Sequence, residues 1–453
     1  MKRGPFRSAL RWLLEADKPV PPRSDQEIAA EVRRNYRWNF GANLLDGVVF
    51  WFGYSFASAS TILPLFVSKL TPNPLAIGLL AVLAQAGWSI PQLFSANAVE
   101  RLARKKPVIV NLGFFLERVP IWLLVVGAWL AIRSPGLALI TFFIGFAWHN
   151  LGAGVVATAW QDLIARCFPV DRRGRVMGIT FFAGTGMGAI GSALSAWLLK
   201  SFRYPTNFVY IFAIAAAAIT LSWVFLALVR EPVQPLSTPP QSQRQFWSGL
   251  VTILQRDSNF RRFLIARLIL ALGGMAGGFV TVAAVARWGV ADSTVGIYTG
   301  ALLVGQTVGN LAFGWLADHR GHKFSLELGA FFSFVSYALA ALAPAPGWFF
   351  VVFVLIGVAT GAVVVSGILV VMEFSEPGRR PTYIGMANTG VGFVGIGAPL
   401  LGAWLASVDY GWRFAIGAVV DLAALAVLRW WVQEPRWTEV GARPSLESGV
   451  HTP

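Results

Sequence analysis

Residues 296–323 read GIYTGALLVGQTVGNLAFGWLADHRGHK, and residues 78–105 read GLLAVLAQAGWSIPQLFSANAVERLARK. The two align without a gap, Gly78 on Gly296, Glu100 on Asp318 and Lys105 on Lys323. Each is an apolar run of about 20 residues, enough to cross a ~30 Å hydrocarbon layer as a helix rising 1.5 Å per residue. Each ends in a carboxylate and a basic cluster. A second block repeats further on: Gly154 on Gly361, Arg172-Arg173 on Arg379-Arg380, Gly178 on Gly385, Gly188 on Gly395 and Trp197 on Trp404. Both halves also finish alike, on Arg230-Glu231-Pro232 and Gln433-Glu434-Pro435. An internal repeat fixes architecture before any motif does.

Outward from these stretches the chain shows twelve apolar blocks, six per half. The first six cover approximately 41–68, 75–98, 107–131, 136–159, 176–199 and 207–229; the rest cover approximately 261–287, 294–316, 324–343, 347–372, 383–407 and 412–432. The composition agrees: 13% of residues are charged, where soluble chains carry about 25%. An even number of spans per half gives both copies the same orientation. The expected fold is therefore an all-α membrane protein, twelve helices in two parallel six-helix repeats about an axis along the membrane normal. Such repeats enclose a cavity near the midplane.

The net charge of +15 is a topology signal. Basic residues gather in alternate loops, at Arg101, Arg104, Lys105 and Lys106, at Arg172, Arg173 and Arg175, at Arg320 and Lys323, and at Arg379 and Arg380. The positive-inside rule puts these loops and both termini in the cytoplasm, of a plasma (inner) membrane protein. A nucleic-acid footprint is excluded, and the single Cys167 excludes an internal disulfide. Residues 1–40 are expected to form a cytoplasmic segment without a cleavable signal. Two readings of its start stand open, a surface helix with Phe6, Leu10, Leu13 and Leu14 on one face, or a basic tail. Ser24-Asp25-Gln26-Glu27 has capping-box spacing for a helix leading to Trp38. The first bundle is expected over 41–231, a Pro-rich linker with an amphipathic stretch through Phe246, Trp247, Leu250, Ile253 and Leu254 over 232–260, the second bundle over 261–435 and a tail over 436–453. Tryptophan belts are expected at Trp288, Trp348 and Trp412 outside and Trp315, Trp430 and Trp431 inside.

Gly314-Trp-Leu-Ala-Asp318-His-Arg320-Gly321-His-Lys323 resembles the major facilitator superfamily signature, Gly-x-x-x-Asp-Arg-x-Gly-Arg-Arg/Lys. The other copy is degenerate, with Ala96 and Ala103 for glycines and Glu100 for Asp, but keeps Arg101, Arg104 and Lys105. Pro169-Val-Asp171-Arg172-Arg173-Gly174-Arg175 is similar to the superfamily's loop between spans 4 and 5. The resemblance covers nearly all of residues 40–435 and implies a secondary transporter working by alternating access. It also implies a cytoplasmic gate at Glu100, Arg101, Arg104, Lys105, Asp318, Arg320, Gly321 and Lys323, whose carboxylates pair with an Arg or face a helix N-terminus; loop charge that merely sets topology is the bland reading. Three departures stand out. His319 replaces the signature Arg, Trp148 occupies the Arg position of drug/proton antiporters, and their span 5 proline is missing among Gly184, Gly186, Gly188 and Gly191, a Gly397-Ala-Pro399-Leu-Leu-Gly402 pattern standing in span 11 instead.

Ionisable residues inside spans are costly and so are functional candidates. Asp46, Glu117, Arg118 and His149 are the proton-coupling candidates, against structural roles as a neutralised pair, an interfacial carboxylate or a hydrogen-bonded imidazole. Glu117 and Arg118, ~100° apart on an α-helix, need not pair; Arg118 has Asp46 or a carbonyl as alternatives. Asn43, Gln85, Asn150, Arg267, Gln306, Asn310 and Asn388 are candidates for the substrate cavity, or for helix–helix hydrogen bonds. Arg267 also reads as an interfacial, snorkelling side chain, and Asp421 has no evident partner. The glycine-rich stretches, including Gly273-Gly274 and Gly277-Gly278, suit close helix approach. No phosphate-binding loop, metal cluster or nucleophile constellation is present, so no cofactor, metal or enzymatic activity is expected. The expected function is transport of a small organic solute by a monomer in contact with membrane lipid, coupled to protons, with efflux ahead of uptake by symport. A lipid flippase and a non-transporting sensor are the competing classes.

Overall fold

The structure, a computed structural model, describes residues 5–59, 62–71, 73–236, 242–290, 292–406 and 410–437. Residues 237–241 of the expected linker and the expected tail from 438 onward lie outside these. The described residues contain helices and no strand.

A short helix, Pro5–Leu13, precedes span 1. The Ser24 hydroxyl accepts from the Glu27 N–H at 3.3 Å while the Glu27 carboxylate accepts from the Ser24 N–H at 2.8 Å. This capping box satisfies donors that a helix start leaves open. The helix it opens, Asp25–Phe56, joins the expected juxtamembrane helix to span 1 and begins well before residue 41, while the expected span 41–68 is interrupted after Phe56 and resumes as a separate helix, Ile62–Leu70. Its polar first part ties down the end of span 6. Trp38 donates to the Leu228 carbonyl (2.8 Å), and Asn39 both donates to the Arg230 carbonyl and accepts from the Arg230 N–H.

Span 2 is two pieces, Pro74–Ser89 and Pro91–Glu100, because Pro91 has no N–H to continue the ladder. Span 3 begins with two π-helical turns, Val108–Leu112 and Phe114–Arg118, before the α-helix Val119–Leu130. Spans 4 to 6 are Pro135–Cys167, Arg173–Ser201 and Thr206–Ala227. The amphipathic linker stretch is the helix Gln243–Arg256, with Phe246, Leu250 and Ile253 buried. Span 7 runs from Ser258–Gly273 through a 3-10 segment, Gly274–Phe279, to Val280–Trp288. Spans 8 to 12 are Asp292–Arg320, His322–Leu342, Trp348–Glu373, Arg380–Ala406 and Tyr410–Trp431. Among the described residues eight of these spans are long and apolar enough to cross a membrane unaided. Spans 1, 2, 7 and 11 are not among them; span 1 opens on a polar stretch, and spans 2 and 7 are broken.

The two six-helix halves pack on three cores. One core, with Phe66, Phe142, Phe208 and Phe212, belongs to the first half, and another, with Tyr298, Phe349 and Phe353, to the second. The third joins both halves at the face carrying the basic loops, through Phe168, Phe246, Phe260, Phe263, Phe374 and Tyr383. There the backbones of spans 5 and 8 touch. A Cβ on Gly314 would lie 2.7 Å from the Gly178 Cα and 2.6 Å from the Gly174 carbonyl oxygen. Of the expected tryptophan belt, Trp315, Trp348, Trp412, Trp430 and Trp431 are exposed, whereas Trp288 packs against the Phe349 ring at 5.2 Å.

Candidate functional site

A cavity of about 500 Å³ lies inside the first half, walled by spans 1 to 6 and capped by Val364 and Ile368 of span 10. Its wall is aromatic, with Phe50, Trp51, Tyr54, Trp88, Trp160 and Phe181. Into it the fold brings seven of the expected residues, Asn43, Asp46, Gln85, Glu117, Arg118, His149 and Asn150.

The chemistry concentrates where spans 1, 3 and 4 meet. Glu117 and Arg118 form an ion pair with each other, an outcome that their spacing on an α-helix left open. The π-turn explains this. A wider turn has a smaller angular step between neighbours than the ~100° of an α-helix, which brings consecutive side chains nearer each other. The Arg118 guanidinium also sits 5.6 Å over the Phe50 ring. Asp46 is buried, and its Oδ1 has no hydrogen-bond partner. His149 Nδ1 is 2.7 Å from the Glu117 carbonyl oxygen; a carbonyl only accepts, so Nδ1 carries a proton. Asn43 and Asn150 each donate to the carbonyl one turn back, of Asn39 and Phe146.

The other expected cavity residues stand elsewhere. Asn388 donates to the Gln92 side chain at 2.8 Å, a bond between the halves. Asn310 is fully buried with both amide atoms unpaired, beside the crossing of spans 5 and 8. Gln306 lies where span 8 meets Gly357 of span 10. Arg267 donates to the Gly367 carbonyl, behind the cavity cap.

At the basic face the two signature carboxylates each reach a helix start in the opposite half. Asp318 accepts from the N–H groups of Gly174 (2.8 Å) and Arg175 (2.7 Å), in the first turn of span 5. Glu100 accepts from the Thr382 N–H at 3.0 Å and from the Thr382 hydroxyl, at the start of span 11. Helix N-termini favour negative charge, so both contacts are electrostatically matched. The basic members of the signatures act differently. Lys105 is buried, donating to the Val99 carbonyl with its ammonium 3.6 Å from Asp162. Lys323 pairs with Glu327 at 2.9 Å, Arg320 lies 5.5 Å over the Phe324 ring, and Arg104 donates to the Lys18 and Pro19 carbonyls. Arg101 donates to the Asn97 side chain. Gly321, at φ +88°, has a conformation that disfavours a side chain, and a Cβ there would strike Glu434.

Sequence reasoning missed the residues behind these contacts. Glu231 accepts from the Lys105 and Lys106 N–H groups at 2.8 and 2.9 Å, and Glu434 from the Lys323 N–H at 3.0 Å, so each half-ending glutamate caps the third helix of its own half. The matched Glu-Pro endings carried that signal. Asp162 meets Lys105, Arg166 and, across the halves, Arg380 at 3.5 Å, while Glu373 meets Arg436 at 2.8 Å and the buried His322 at 3.6 Å. Arg436 also donates to the Asp318 carbonyl, so a cation from beyond span 12 stands near the place of the missing signature Arg. Burial pushes the Lys105 ammonium down to about 8 despite Asp162 beside it. Burial, with Glu373 nearby, pushes the Glu434 carboxyl up to about 7 against the pull of the Lys323 N–H and Arg436.

The Glu434 shift has a sign that can be checked. A carboxyl that holds its proton more tightly in the folded chain stabilises the fold below its ordinary titration range and loses that contribution as pH rises through the folded value. The thermal midpoint of the wild type is expected to fall more steeply than that of Glu434→Gln between about pH 5 and about pH 8. Parallel slopes would refute this.

The family model described as Major Facilitator Superfamily matches residues 45–287 and 279–449. The chain is 24% identical to the cis,cis-muconate transport protein of Acinetobacter baylyi over 77% of this chain and 82% of that one. It is 29% identical to the 4-hydroxybenzoate transporter PcaK of Pseudomonas putida, over 39% of this chain and 40% of that one. Among solved structures, the transporter FucP in the outward conformation superposes with a TM-score of 0.70 at 16% identity, covering 87% of this chain and 99% of that one. With both six-helix repeats matched and the signature carboxylates seated across the halves, the chain belongs to the Major Facilitator Superfamily.

Proposed function

We propose that the protein is a proton-coupled secondary transporter that exports a small amphipathic organic solute by alternating access, using the cavity of the first half. One observation carries the reading: an aromatic-walled space of about 500 Å³ holding a buried carboxylate, Asp46, with an unpaired oxygen. Small-molecule sites typically span about 300–1,000 Å³, with a few polar groups in an apolar wall. Asp46, Glu117 and Arg118 carry two carboxylates for one guanidinium. A proton on Asp46 balances the cluster, and a solute that donates a hydrogen bond or carries positive charge competes for the same oxygen. Such competition is what an exchanger requires. Glu100 and Asp318 hold the basic face shut in this state; that face is cytoplasmic, in a plasma-membrane monomer with both termini inside. The remaining signature residues, Arg101, Arg104, Lys105, Arg320, Gly321 and Lys323, support the gate by fixing the loop conformations from which the two carboxylates reach across.

A second reading has its own support. The muconate and 4-hydroxybenzoate relatives are named for organic acids. In that case protonation of Asp46 would leave Arg118 facing one charged carboxylate, Glu117, so that its guanidinium can share a solute carboxylate, and proton and solute would move together. Purified protein in liposomes with an imposed pH gradient distinguishes the two. Export predicts that aromatic amines and neutral amphipaths move against the proton flux, and import that aromatic acids move with it. In either case Asp46→Asn is expected to lower gradient-driven flux by about 10- to 100-fold while leaving solute binding measurable. Flux indifferent to both the gradient and the substitution overturns proton coupling, and binding without flux favours a sensor.

A further inference from the structure

Span 12 places a second carboxylate, Asp421, fully buried in the other half of the molecule, outside the cavity described above. Its Oδ2 accepts a hydrogen bond from the Ser333 hydroxyl of span 9. Its Oδ1 has no hydrogen-bond partner. That oxygen rests against Gly273, where even a Cβ would collide with it. Gly273 is the last α-helical residue of span 7 before the 3-10 segment Gly274–Phe279. The nearby packing is apolar, with Ala276, Phe414 and Ala418 buried in the core of this half. Facing Asp421 from span 9 is the Tyr337 phenol; among the described residues no cationic side chain of spans 7, 9 or 12 pairs with it.

An ionised carboxylate with one donor and no counter-ion is costly inside a membrane, and the remedy available to it is neutralisation. A sodium ion would need several oxygen ligands, and the unpaired oxygen faces a glycine α-carbon instead. A proton needs only that oxygen.

We infer that Asp421 is a second proton-binding site, one for the second half, seated at the joint of span 7 and loaded in the state with the basic face closed. The step is the transfer of one proton from hydronium, which leaves as water, to the carboxylate Oδ1, giving a neutral carboxyl that Ser333 still hydrogen-bonds. Release follows when span 7 bends at Gly273-Gly274 and exposes the carboxyl to water. The site is independent of Asp46 and of the cargo, and with it one transport cycle carries up to two protons.

The test is infrared difference spectroscopy of the purified full chain between acidic and alkaline buffer, without any solute. The wild type is expected to show a protonated-carboxyl C=O band that disappears in Asp421→Asn, persists in Asp46→Asn, and moves to higher wavenumber in Ser333→Ala, which lacks the hydroxyl. If Asp421→Asn does not fold, the Ser333→Ala shift decides. A difference spectrum that is the same in wild type, Asp421→Asn and Ser333→Ala overturns the inference, as does a carboxyl band that no change of buffer alters. Failure of the Asp46 reading looks different, since it would leave the spectrum of Asp46→Asn identical to wild type.

Discussion

Changing Glu100 and Asp318 together to their amides is expected to turn the resting molecule from closed to open at the basic face. Each carboxylate accepts two hydrogen bonds from the opposite half, from Gly174 and Arg175 in one case and from Thr382 in the other. A charged acceptor adds about 1 kcal/mol per bond over a neutral one. Four such bonds amount to about 4 kcal/mol, hence about a 10³-fold change in the ratio of the two states. The two contacts share no partner, so each single change should give about half of that free energy. The measurement is labelling of Ile368→Cys, at the cavity cap, by a membrane-impermeant thiol reagent applied from the basic face. The native Cys167 is buried and contributes little background. The double variant should label rapidly, each single variant at an intermediate rate and the parent slowly. Equal rates in all four would refute a gating role for the carboxylates.

Gly314→Leu is expected to produce the largest loss of transport of any single change, about 100-fold or more. The first added carbon already falls 2.6 Å from the Gly174 oxygen and 2.7 Å from the Gly178 Cα, and both obstacles are backbone, which cannot rotate away. Overpacking of this kind costs about 1–3 kcal/mol where neighbours can shift, and more where they cannot. On the closing model proposed above the contact forms only while the halves are closed, so the fold itself should survive. Gly309→Leu is the control. A Cβ at Gly309 meets Val358 of span 10 in the same half, so that change should lower the thermal midpoint in every state. If Gly314→Leu unfolds the protein as Gly309→Leu does, the contact is constitutive and the closing model fails.

The architecture was legible because it rests on one-dimensional signals. Hydropathy gave most of the spans, and the registered blocks around Glu100 and Asp318 the two-half plan. The capping box at Ser24 could be read for the same reason, since its partners are three residues apart. What escaped depends on distortion or long-range partnership. No α-helical wheel predicts that Glu117 and Arg118 pair, because two π-turns change the angular step. The roles of Glu231 and Glu434 were visible only as matched endings, since each cap joins residues more than a hundred positions apart. Arg267, Gln306, Asn310 and Asn388 have the composition of cavity residues, yet they lie at helix contacts away from the cavity. Polarity in a span says that a residue needs a partner, without saying whether the partner is a solute or another helix.

Among the described residues the cavity lies almost wholly in the first half, with Val364 and Ile368 alone coming from the second. On the proposed reading the first 231 residues therefore carry the choice of cargo, and the second half supplies the moving counterpart. Chimeras joined in the linker before Ser242 should inherit the cargo range of the parent that donates the amino-terminal part.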